Sequence, residues 1–157
     1  MPTYSAAVLD DIRAGVDIVD FIGRFVNLRK AGTNWKGLCP FHGEKTPSFM
    51  VNPKKGIFHC FGCGVGGDVF GFLMRQDRLS FPEAVRALVE YAFEVLGADV
   101  VRIYADGDNV ASHRVAEKSG LLLVERFRHE EDGEAWFGVR YELSREERSA
   151  TSGERDG

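Results

Sequence analysis

The chain has 157 residues, of which 44% are hydrophobic and 28% charged. That suffices for one ordinary domain or two small ones sharing a border, and excludes a large multi-domain enzyme. No apolar run approaches the roughly 20 residues of a membrane-spanning helix. The start, MPTYSAAVLDDIRAG, lacks the basic segment of a secretory signal, so a cytoplasmic protein with no membrane partner is expected. The net charge of -4 hides an asymmetry: residues 1–90 carry 11 Lys and Arg against 9 acids, and residues 91–157 carry 9 against 15. Arg24, Arg29, Lys30, Lys36, Lys45, Lys54 and Lys55 share their stretch of chain with a single acid, Glu44. Such a run suits a polyanion.

In chain order, apolar residues at helical spacing predict two short helices on either side of Gly15, in AVLDDIRAGVDIVDFIGRFV. From Asn27 to Phe61, short alternating runs broken by Gly and Pro predict strands joined by tight turns, a loop-rich stretch that needs a further staple. DVFGFLMRQ predicts a short apolar helix. Ser80 and Glu83 form a capping box ahead of a helix from about Phe81 to Leu96, its buried face being Phe81, Val85, Leu88, Ala92 and Leu96, with Gly97 as left-handed cap. Strand, helix, strand and strand come next: VVRIYA, ASHRVAEKS closed by Gly120, LLLVERFR, then AWFGVRYEL after an EEDG turn. ERSATSGERDG lacks apolar content and is expected to be disordered.

Three cysteines cannot form an even disulfide framework. Cys39-Pro-Phe-His42 and Cys60-Phe-Gly-Cys63 are two pairs with equal two-residue gaps, 17 residues apart, which suits one tetrahedral zinc held by three thiolates and an imidazole. A redox C-x-x-C motif or ordinary buried thiols are the alternatives, and neither accounts for the Cys39 and His42 pair. Four protein ligands leave no open position, so the metal is expected to be structural. His59 is expected on the surface or in packing, not as a fifth ligand.

The residues from LRKAGTNWKGLCPFHGEKTPSF through HCFGCGVGGDVFGFLMRQDRLSFPEAVRAL, with VDIVDFI ahead of them, resemble the CHC2-type zinc-binding domain of bacterial replicative DNA primases over about residues 5–90. The resemblance implies a non-catalytic module that engages single-stranded DNA template and helps a catalytic domain to begin an RNA primer. A primase catalytic domain or another replisome protein would be its partner. Single strands are held by cations tracking phosphates and by rings stacking on bases. On that basis Arg29, Lys30, Asn34, Trp35, Lys45, Lys54 and Lys55 are the candidate DNA contacts, while Phe49, Phe58 and Phe61 are assigned to the core. Asp106-Gly-Asp108 is similar to the acidic, magnesium-binding pair of the primase polymerase fold, but a D-G-D turn is also an ordinary connector and N-cap.

EYAFEVLGADVVRIYADGDNVASHRVAEKSGLLLVERFRHEEDGEAWFGVRYELSREE, within about residues 84–148, resembles the C-terminal half of a GNAT-type N-acetyltransferase. The resemblance places Asn109 and Ser112 near acetyl-CoA; local structure alone would make them helix cap and first turn. The phosphate-gripping loop of that family needs small residues where this chain has Arg78 and Ser80, and Ala116 stands where many relatives keep an acid-supplying tyrosine, so acetyl transfer is not expected. The two resemblances share the helix at about 81–96. The expected organisation is therefore an α+β chimera, with a primase-type zinc ribbon and flanking helices over 1–90, a GNAT-like half domain over 91–148, and a disordered tail over 149–157. A half sheet would expose an edge, so the chain is expected to form a homodimer, recruit the ribbon's strands or aggregate. The expected function is zinc-dependent binding of single-stranded template; the alternatives are an acetyltransferase remnant or a fold with no function of its own.

Overall fold

A computed structural model describes residues 16–154, which form two compact units divided between Ala84 and Val85. The helix expected before Gly15 lies outside the described residues.

In the first unit, Asp17 caps helix α1 (Ile18–Ile22) by accepting from the N–H groups of Val19 and Asp20 at 2.9 and 3.1 Å. Strands β1 (Arg29–Ala31), β2 (Asn34–Gly37), β3 (Phe49–Asn52), β4 (Ile57–Cys60) and β5 (Gly66–Gly67) make an antiparallel sheet in sequence order. Asp68 caps α2 (Val69–Gln76), which packs on β5 and α1. Alternation along β3 and β4 puts Phe49, Val51, Phe58 and Cys60 on a buried face. Phe72, fully buried, lies with ring centroids 5.6 to 6.5 Å from Phe21, Phe25, Phe49 and Phe58, in tilted and edge-on geometries that aromatic quadrupoles favour.

The capping box forms as expected: the N–H of Ser80 donates to Glu83 and that of Glu83 to the Ser80 hydroxyl, opening α3 (Phe81–Glu94). Val85 and Leu88 are buried as expected, but so are Ala84, Val89, Tyr91 and Phe93, while Phe81 and Ala92 are half-buried and Leu96 is exposed. The correction at Leu96 has a backbone cause. The helix stops at Glu94, and closing bonds from Leu96 N–H to Tyr91 and from Ala98 N–H to Ala92, around Gly97 at φ +68°, carry Leu96 off the apolar face.

In the second unit β6 (Val100–Asp106), helix α4 (Val110–Lys118), β7 (Leu122–Glu131) and β8 (Glu134–Ser144) appear in the expected order. The sheet is antiparallel with β8 in the middle. Asp132 and Gly133, both at positive φ, form the two-residue turn between β7 and β8, as a type I′ hairpin requires. Ile103, Ala105, Val139, Tyr141 and Leu143 share one buried face, and α4 packs on β6. The opposite face carries an ion-pair ladder from Arg102 to Glu142, Arg140 and Glu125.

Residues 145–154, most of them assigned to a disordered tail, form helix α5 (Arg145–Glu154). A second capping box starts it, Ser144 N–H donating to Glu147 and Glu147 N–H to the Ser144 hydroxyl. Arg148 then bonds Glu90 and, at 2.7 Å, Glu94, and its guanidinium lies 5.5 Å from the Phe93 ring centroid. Charged and aromatic partners on α3 thus supply what apolar composition does not. No helix among the described residues is long and apolar enough to cross a membrane.

Candidate functional site

Cys39 and His42 sit on the loop after β2; Cys60 ends β4 and Cys63 lies on the turn beyond it. Their donor atoms all lie within 4.8 Å of one another. Cys39 Sγ is 3.9 Å from Cys63 Sγ, and Cys60 Sγ is 3.9 Å from His42 Nδ1. Around zinc, with Zn–S near 2.3 Å, tetrahedral geometry separates sulfurs by about 3.8 Å, which the Cys39–Cys63 pair matches within about 0.1 Å. Backbone N–H groups of Phe41 and Gly62 point at Cys39 and Cys60 sulfurs, each at 3.4 Å. Burial pushes the Cys39 thiol up to about 11. Burial acts on Cys60 too, but the Ser48 hydroxyl and the N–H groups of Cys63 and Gly62 outweigh it and bring that thiol down to about 6. Burial disfavours the Cys39 thiolate, and a cation among the four donors would offset that.

Glu44, Ser48, Gly62 and Phe41 surround the ligands. Glu44 accepts from the Cys39 N–H at 2.8 Å, the Ser48 N–H at 3.1 Å and the Ser48 hydroxyl, and its carboxylate lies 3.0 Å from His42 Nε2. With Nε2 on the side of the carboxylate, Nδ1 is the ring nitrogen turned to the sulfurs, an arrangement of carboxylate, imidazole and donor set like that found at metal sites. Donation from the Ser48 hydroxyl, then from the Cys39 N–H, holds the Glu44 carboxyl down at about 2. Gly62 leaves room for this: a Cβ there would meet His42 Nε2 and Ser48 Oγ at 2.8 Å. Phe41, between the first two ligands, packs its ring 5.5 Å from Phe72 and 6.1 Å from Phe58, tying the loop to the core. Glu44 had one sequence signal, as the lone acid of a basic stretch; Phe41 had none.

The register sorts the candidate DNA contacts by face. Arg29, Lys36, Met50 and His59 stand opposite one another across four strands and form one row on the face away from the core. Lys36 and Met50 were not among the expected contacts. Asn34 lies on the same open face, its side-chain oxygen sheltered from solvent and without a hydrogen-bond partner. Lys30 and Trp35 belong to the row of Val51 and Phe58, on the other face. Lys45 is exposed in the metal loop, and Lys54 and Lys55 in the β3–β4 turn. Phe49 and Phe58 are buried as assigned, but Phe61 is 74% exposed and rests on the His59 ring at 4.7 Å. Cys60 takes the inward position, so the next residue turns outward. His59 is exposed, as expected.

In the second unit, Asn109 accepts from the Ser112 N–H at 3.1 Å and Ser112 is wholly buried, so both serve the start of α4. Asp106 and Asp108 are exposed, and among the described residues the group of three or more metal donors is that of Cys39, His42, Cys60 and Cys63.

The family model of the CHC2 zinc finger matches residues 4–100. The chain belongs to the CHC2 zinc finger family. Zinc is the metal of that family, and the CHC2 donors here are the Cys-His-Cys-Cys set already described. DNA primase of Listeria monocytogenes is 60% identical over 83 residues, covering 53% of this chain and 13% of that protein; DNA primase of Geobacillus stearothermophilus is 46% identical over 121 residues, covering 77% and 20%. This CHC2 protein thus spans a fifth or less of the length of those relatives. The crystal structure of the Aquifex aeolicus primase, with zinc-binding and RNA polymerase domains, aligns at TM-score 0.51 and 45% identity over 55% of this chain and 21% of that one. A GNAT-family acetyltransferase from Bacillus anthracis aligns at TM-score 0.42 and 18% identity over 81% of this chain and 72% of that one. The first unit is a primase-type zinc-binding module within a mixed α and β chain.

Proposed function

We propose that this chain is a zinc-dependent platform for single-stranded DNA template, non-catalytic by itself, which supports primer initiation by a primase catalytic domain or another replisome protein. Cys39, His42, Cys60 and Cys63 hold the ion that makes the platform rigid. The observation that carries the proposal is the pair Arg29 and Lys36, directly opposed on the open face, both exposed and neither paired with a carboxylate among the described residues. Like charges held opposite one another destabilise a sheet. A phosphate between them removes that cost, and Lys54, Lys55 and Lys45 extend the positive surface along a strand. His59 and exposed Phe61 supply rings on the far side of the row. Three reduced cysteines at a zinc site suit the cytoplasm, where thiols stay reduced. Self-association belongs to the same proposal: β6 and β7 each keep one outer strand edge of their sheet.

Fluorescence anisotropy of a labelled single strand, titrated at several salt concentrations, tests this. Affinity is expected to fall steeply with salt, and Arg29→Glu with Lys36→Glu is expected to lower the slope by about 0.7 for each phosphate no longer held. Binding unaffected by salt, or by the double reversal, would sink the proposal. Acetyl-CoA is expected to leave the melting temperature unchanged.

A further inference from the structure

The open face of the first sheet carries more than cations. Phe25, Leu38, Pro40 and Pro47 line a depression of about 400 Å³, and Arg29 and Lys36 stand among the same lining residues. Leu38 comes just after β2 and Asn27 two residues before β1, and both line the depression with Arg29 and Lys36, so the lining extends past the ends of the two strands. Two large apolar side chains are left open here, Leu38 at 48% and Phe25 at 40% exposure. Phe25 is nevertheless fixed, its ring 5.7 Å from that of Phe21 and 5.6 Å from that of Phe72. An exposed ring held by the core is a preformed surface that loses little entropy when something flat lies against it.

We infer that this depression receives one unstacked nucleobase of the bound strand, while the adjoining phosphate rests between Arg29 and Lys36. The inference rests on the proposed single-strand platform and adds where a base goes and what reads it. Charge complementarity selects the occupant: two unpaired cations call for an anion, and apolar walls call for a flat, poorly hydrated group joined to it. A nucleotide joins the two within one residue of its chain. Asn27 is the neutral amide among the lining residues, so most of the contact is stacking and shape. The depression therefore tells a base from no base more strongly than it tells one base from another.

The test compares a short labelled oligothymidylate with an abasic sugar-phosphate strand of equal length, using the full zinc-loaded chain. The intact strand is expected to bind about tenfold tighter, the effect of one stacked base. Leu38→Ser and, separately, Phe25→Leu are expected to lower that ratio several-fold while zinc content and the salt slope stay as they are, because the metal ligands, Arg29 and Lys36 remain and the rings of His59 and Phe61 are untouched. If both variants keep the full preference, or if the unaltered chain binds both strands equally with normal salt dependence, the base site is wrong and the platform stands. If neither strand binds, the platform itself falls, and the base site with it.

Discussion

No strand within residues 16–84 exceeds four residues, whereas the three strands of residues 85–154 run seven, ten and eleven. The shorter set closes over a cluster of phenylalanine rings and a four-donor site that joins two loops. The longer set relies on continuous ladders, an aliphatic core, an ion-pair row and two helices on its faces. The difference teaches how chain length in a strand substitutes for a cross-link. A small core alone rarely supplies more than about 3 to 5 kcal/mol, while structural zinc in comparable sites contributes roughly 10 to 16.

Removing the metal gives the largest expected effect. Chelation, or Cys60→Ala, should abolish amide protection across residues 34–60 and leave 122–144 protected, as read by hydrogen exchange. Equal loss in both units would break the contrast. Next comes Phe72→Ala, which takes a wholly buried ring away from several others and should cost the first unit about 3 to 5 kcal/mol. The two tryptophans separate the readouts, since Trp35 lies in the first unit and Trp136 in the second. Only the Trp35 transition should move in a urea titration.

Glu44→Gln keeps the shape of the side chain but weakens its hold on His42, and should lower zinc affinity 10- to 100-fold, measured by competition with a chromophoric chelator. Glu142→Gln, in the second unit, should leave that affinity alone. The smallest change is Ser144→Ala, which removes the cap of α5 at a cost of about 1 kcal/mol and should speed amide exchange only in that helix.

The ligand set was legible because zinc dictates both donor type and spacing, so Cys39, His42, Cys60 and Cys63 declare themselves in one dimension. Caps were legible where an apolar pattern succeeds them, as at Ser80 and Glu83. The same four-residue signal at Ser144 and Glu147 is masked by the polar residues after it, and the contacts that hold α5 come from Glu90 and Glu94, more than 50 residues earlier. Phe61 departs from its assignment for a related reason. Its side chain matches those of Phe49 and Phe58, but its place just past an inward cysteine sends it outward.

Sequence alone determined the metal chemistry, the order of most elements and the caps at Ser80, Asn109 and Gly97, since each depends on residues within a few places of one another. Tertiary structure decided which cations share a face and that Glu44 orients His42. Register across the sheet accumulates over successive hairpins, and a slip of one residue in any of them would exchange Arg29 and Lys36 for Lys30 and Trp35 on the open side.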